Sequence, residues 1–160
     1  MNILFIVFNK IGQGTYLRAF ELARGLVKFN HSLTILASSK YNKQKKVRVI
    51  SQNKIKIIEI PNLLPKAFQA GWDVTNLLSR LKTLNLINFD IVHGFESRPT
   101  VIYPALKAHH KGVPLFLDWA DWFGSGGSSK KDLVKSSRYY CGHLRIIMKL
   151  IFEKKHMGQR

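Results

Sequence analysis

The chain has 160 residues, with 26 Lys and Arg against nine Asp and Glu and a formal net charge of +17. That length holds one ordinary α/β domain with a sizeable core and excludes two. The 46% hydrophobic fraction is usual for a soluble globular protein, no apolar run approaches the roughly 20 residues of a membrane span, and the cationic excess points to polyanions: nucleic acid, anionic lipid headgroups or phosphorylated ligands.

Residues 3–8 form an unbroken apolar run, rich in β-branched and aromatic side chains, and read as a strand buried on both faces. The run lacks a basic leader and ends too soon for a signal peptide. From Thr15 the period becomes helical, with Leu17, Phe20, Leu22, Ala23, Leu26 and Val27 as its stripe and an end near Asn30. Residues 33–37 predict a second strand. Residues 38–56 carry Lys40, Lys43, Lys45, Lys46, Arg48, Lys54 and Lys56 without one acidic residue, and read as an exposed, mobile segment with one short extended piece at 47–50. Residues 55–60 predict a third strand, stopped by Pro61. A helix follows over about 74–86, with Leu77, Leu78, Leu81 and Leu84 on one face.

Residues 90–94 predict a fourth strand. Residues 99–111 suit a helix with Pro99 in its first turn, Pro104 as a kink or a delayed start, and Gly112 as its C-cap. Residues 113–118 predict a fifth strand. A glycine-rich loop over about 119–131 and a last helix over 138–155 complete the chain. This alternation implies a Rossmann-like doubly wound parallel sheet of about five strands, in the order 3-2-1-4-5, with helices on both faces. Its ligand crevice lies at the C-terminal ends of strands 1 and 4. The chain ends directly after a predicted helix, where such a domain usually adds a strand, so 1–160 reads as a single domain truncated at its C-terminus.

Four features can carry chemistry. The loop Gly12-Gln13-Gly14 joins strand 1 to helix 1, where backbone N–H groups and the helix N-terminus meet an anion. It is equally a tight turn that needs glycine for its dihedrals. Leu17 breaks the dinucleotide fingerprint and no acid closes strand 2, which argues against a nicotinamide enzyme. At the end of strand 5, Asp118, Trp119, Asp121 and Trp122 combine carboxylates with rings, as sugar binding requires, and a carboxylate there can act as a base. The alternative is that the rings plug the sheet end and the carboxylates cap a turn. At the end of strand 4, His93 is either a ligand contact or a core histidine, Glu96 stands beside it, and Arg98 suits an anion or carboxylate clamp. His109 and His110 complement a helix dipole, and no third group has metal-ligand spacing. The fourth feature is the basic segment. It lacks interleaved aromatics beyond Tyr41, which makes nucleic acid an unlikely partner and leaves an anionic membrane reached through Lys40, Lys43, Lys45, Lys46 and Arg48. The single cysteine, Cys141, cannot form an internal disulfide and fits a reducing, cytosolic compartment, with peripheral attachment to the inner membrane face compatible.

Several pieces resemble the N-terminal domain of family 4 glycosyltransferases of GT-B architecture. They are Asn2-Ile3-Leu4-Phe5-Ile6-Val7, Gly12 and Gly14, Arg18, Glu21-Leu22-Ala23, Asn30-His31-Ser32-Leu33-Thr34-Ile35-Leu36, Phe89-Asp90-Ile91-Val92-His93 and Gly112-Val113-Pro114-Leu115. The resemblance implies a two-domain enzyme in which this domain holds the acceptor and a C-terminal domain, absent here, holds most of the donor. It implies retaining transfer of a hexose from a nucleotide-diphosphate sugar to a glycan or lipid-linked acceptor, with no metal or other cofactor. On that analogy Gly12 and Gly14 face the donor diphosphate, Asp118 and Asp121 are the catalytic candidates, and His93, Glu96, Arg98, Trp119 and Trp122 contact substrate. The chain alone is then expected to be inactive. The competing expectation is a basic α/β binding module for nucleic acid or an anionic membrane surface.

Overall fold

Alternating apolar runs and amphipathic segments produce three helices and six strands among the described residues, which are 1–40, 45–64 and 71–118 of the computed structural model. In chain order these are β1 (Asn2–Lys10), α1 (Thr15–Lys28), β2 (Ser32–Ser38), β3 (Arg48–Gln52), β4 (Ile55–Ile60), α2 (Val74–Thr83), β5 (Ile91–Phe95), α3 (Pro99–His109) and β6 (Leu115–Asp118). A 3₁₀ turn at Leu84–Leu86 follows α2. All lie in one unit, Met1–Ala120.

The sheet order is β3-β4-β2-β1-β5-β6. The expected order 3-2-1-4-5 is present as β4-β2-β1-β5-β6, all parallel. The sheet has one strand more than expected and is mixed. Strand β3 pairs antiparallel with β4, Gln52 opposite Ile55, through the two-residue turn Asn53-Lys54. Both turn residues have positive φ, 51° and 63°, which is the twist a tight hairpin needs. The basic segment is therefore partly an edge strand. Its Arg48 ends beside the buried Glu59, with Nε 3.5 Å from Oε2.

Side chains alternate across the sheet and build two cores. Phe5, Ile35, Ile57 and Phe95 pack under α1 through Tyr16, Ala19, Phe20 and Ala23. Leu4, Leu36, Ile58 and Val92 pack with Leu84, Val101 and Ala105 on the other face. Two expected stripes need correction. In α1, Leu17 and Leu22 are 54% and 43% exposed, and Tyr16 and Ala19 take the inward positions. In α2, Leu78 is half exposed, while Asn76 and Arg80 are buried. Pro104 lies inside α3 without ending it, and the helix starts at Pro99 as its first-turn proline dictates.

Arg80 is fully buried for a reason visible in the sheet. Strands β1 and β2 run in register to Ile6 and Leu36, then part, and rejoin at Lys10 and Ser38. Carbonyls exposed by that parting need donors. The Arg80 guanidinium supplies them: Nη1 donates to Val7 O at 2.9 Å and Leu36 O at 3.3 Å, Nη2 to Ser38 Oγ at 3.0 Å, and Nε to Asn76 Oδ1 at 2.6 Å. Asn76 Nδ2 continues the chain to Pro61 O and Asn62 Oδ1. Burial pulls the guanidinium down to about 9, with the Asp73 carboxylate opposing. Asp73 also caps α2, accepting from Thr75 N and Asn76 N, and takes Leu63 N and Leu64 N besides.

Candidate functional site

The parallel core of the sheet reverses its winding between β1 and β5, the switch point at which sheets of this kind form a ligand crevice. The chain leaves β1 through Lys10 and turns at Gly12-Gln13-Gly14 into α1. Gln13 N donates to Lys10 O at 3.1 Å and Ile11 N to Ser38 O at 3.2 Å, which ties the loop to both strands. Gly14 is the N-cap residue, with φ 52° and ψ −131°, and no side chain caps the helix. A Cβ at Gly14 would lie 2.6 Å from Asn9 Nδ2, whereas Gly12, at φ 81°, has open space around it. Gly14 is thus required by conformation and by contact, and Gly12 by conformation alone.

Glu96 closes β5 beside this loop. It is 8% exposed and adopts φ 79°, a left-handed conformation uncommon outside glycine. Its backbone N–H donates to Asp118 O at 2.7 Å, holding the ends of β5 and β6 together. Its Oε1 accepts from Thr15 Oγ1 at 3.5 Å, so the carboxylate lies at the positive end of α1. Asp118, the last residue of β6, accepts from Arg18 Nη2 at 2.9 Å across half-exposed surface. Arg18 in turn lies over the Phe95 ring, 5.7 Å from its centroid. The sequence marked Glu96 and Asp118 separately. The fold brings both to one end of the sheet with Thr15, which belongs to no sequence motif, and with Arg18, which belongs only to the family resemblance.

His93 sits on the same face, half-buried in rings. It stacks on Phe95 at 4.2 Å, meets Phe5 edge-on at 5.3 Å and lies 6.3 Å from Phe116. Burial lowers its pKa, Asp118 raises it and Arg18 lowers it further. A folded-state value below the unfolded one means that the unfolded chain binds the extra proton more readily. Stability from His93 is therefore present above about pH 6.5 and lost as the pH falls below it. Urea midpoints measured from about pH 8 down to pH 5 are expected to fall, and a His93→Gln variant is expected to flatten that dependence.

Arg98 stands apart from this group. It caps α3 from an extended conformation, φ −70° and ψ 148°, and its guanidinium lies 5.5 Å from the centroid of Phe8, a residue of the opposite core face. The strand ends therefore carry Thr15, Arg18, Glu96 and Asp118 on the α1 face and Arg98 toward the other. The remaining candidates, Trp119, Asp121 and Trp122, lie outside the described residues, as does Lys43. Among the described residues no cluster of three metal-ligating side chains occurs, and no helix is long and apolar enough to cross a membrane.

No protein-family model matches the chain, and no curated protein matches it. The site's chemistry therefore rests on its own geometry. A glycine turn with a positive helix end, a buried carboxylate and a paired carboxylate can together hold an anionic group and a hydroxyl-bearing one.

Proposed function

We infer that this chain is the acceptor-side domain of a retaining glycosyltransferase, which joins a hexose from a nucleotide-diphosphate sugar to a glycan or lipid-linked acceptor once a second α/β domain covers the donor. The observation that carries the reading is the placement of Glu96 against Thr15, the first residue of α1 and the one that follows the glycine turn. The N–H groups of Gly12 and Gly14 and the α1 N-terminus suit the diphosphate. The Glu96 carboxylate suits an acceptor hydroxyl, whose oxygen bonds to the anomeric carbon as the bond to the diphosphate oxygen breaks. The hydroxyl proton leaves to a base, for which Asp118 and Asp121 are the candidates. Arg18 neutralises Asp118, which keeps two carboxylates compatible with an anionic donor.

The test is a backbone-amide NMR titration of the full chain with uridine, guanosine and adenosine diphosphate hexoses. Shifts are expected at Gly12, Gly14 and Thr15 for one nucleotide class, and Glu96→Gln, which removes a negative charge beside the diphosphate, is expected to leave them undiminished. If none of these amides moves with any sugar nucleotide, while single-stranded RNA moves amides along the basic hairpin, the domain is a polyanion-binding module and the transferase reading is wrong.

A further inference from the structure

We propose that the edge of the sheet opposite this crevice, where the parallel strands begin, docks on a bilayer surface carrying anionic lipid headgroups. Parallel topology sends every helix C-terminus to that edge. Two large apolar side chains project from it without cover: Phe29, the C-cap of α1, is 75% exposed, and Leu86, in the 3₁₀ turn after α2, is 86% exposed. Leu86 stands between two shallow cavities. One, of about 270 Å³, is lined by the strand starts Asn2, Ser32 and Lys56. The other, of about 350 Å³, is walled by Val47, Val49, Ile58 and Ile87 with Lys56 and Lys82 at its sides.

Cations surround these tips. Lys28 and Lys82 lie in the last turns of α1 and α2, Lys54 in the β3–β4 turn, and Lys111 just past α3. Of the described carboxylates only Asp90 reaches this edge, and its Oδ2 accepts from Asn2 N at 2.7 Å. Complementing helix dipoles accounts for Lys28 and Lys82. It does not account for Lys54, nor for Phe29 and Leu86 in open solvent. Apolar tips ringed by lysines fit the bilayer interface, where headgroup phosphates meet the ammonium groups and the tips reach the acyl boundary. A nucleic acid answers the lysines but gives Leu86 no apolar phase to enter. The surface takes Val47, Lys54 and Lys56 from the basic segment 38–56 singled out in the sequence and leaves out Arg48, which faces Glu59. The proposal is independent of the transferase reading.

The experiment is co-sedimentation of the full chain with vesicles of phosphatidylcholine alone and of phosphatidylcholine mixed with phosphatidylglycerol. Binding is expected only to the mixed vesicles. Phe29→Ser and Leu86→Ser are each expected to weaken it about tenfold, and Lys54→Glu at least about fivefold. All three positions are solvent-facing, and circular dichroism verifies that the variants remain folded. Three results overturn the proposal: equal sedimentation with both vesicle types, full binding by the Phe29→Ser/Leu86→Ser double variant, or loss of binding through Lys45→Glu/Lys46→Glu with the edge variants unaffected.

Discussion

Replacing Arg80 by Met is expected to destabilise the domain by about 3 kcal/mol, read as a lower urea midpoint at unchanged slope. Methionine fills much of the volume but donates nothing. Val7 O, Leu36 O and Asn76 Oδ1 each lose a donor where β1 and β2 part, and an unsatisfied buried acceptor costs about 1–3 kcal/mol. Part of that loss is offset, because the guanidinium no longer has to be stripped of water. Arg80→Lys is expected to recover little. A single ammonium cannot span two strand carbonyls, Ser38 Oγ and Asn76 Oδ1 as the guanidinium fork does. A variant as stable as the parent would mean that the parted strands find other donors, such as ordered water.

Gly14→Ala is expected to cost about 2–3 kcal/mol, against about 1 kcal/mol for Gly12→Ala. Both replacements place a Cβ on a backbone with positive φ. Only at Gly14 does that Cβ also meet a neighbour, Asn9 Nδ2 at 2.6 Å and Cγ at 3.1 Å. The two contributions separate experimentally. In an Asn9→Ala background the contact is gone, so Gly14→Ala should cost about as much as Gly12→Ala. Chemical denaturation of the four variants gives the comparison directly. An equal cost at Gly14 in both backgrounds would place the whole effect in the dihedral angles. The same series bears on function, since the glycine turn is the proposed diphosphate contact.

The parallel core was legible because its signals are local and strong. Residues 55–60 hold four isoleucines, Pro61 stops them, and the strand has those bounds. Residues 33–37 lie within β2 with one residue added at each end. Strand β3 was only half legible. Its lysine-rich flanks suggested solvent, and the turn Asn53-Lys54 lacks the glycine that usually announces a hairpin, although Asn53 tolerates positive φ. Arg80 was invisible to periodicity, because the rule places apolar side chains inward and this position answers a need created by β1 and β2, more than forty residues away in sequence. The site divides the same way. Glu96 and Asp118 could be named from strand ends. The contacts that give them character, Thr15 to Glu96 and Arg18 to Asp118, join residues 81 or more positions apart and exist only once the sheet is wound.

The Arg80 network also bears on how a ligand is received. The strands beneath the glycine turn do not hydrogen-bond directly to each other where they part, yet their carbonyls are fixed from behind by one rigid planar ion. The strand ends beneath the glycine turn are therefore ordered by folding itself. In the proposed transferase a ligand at the glycine turn would meet a preorganised surface, and its binding energy would not go into ordering the ends of β1 and β2.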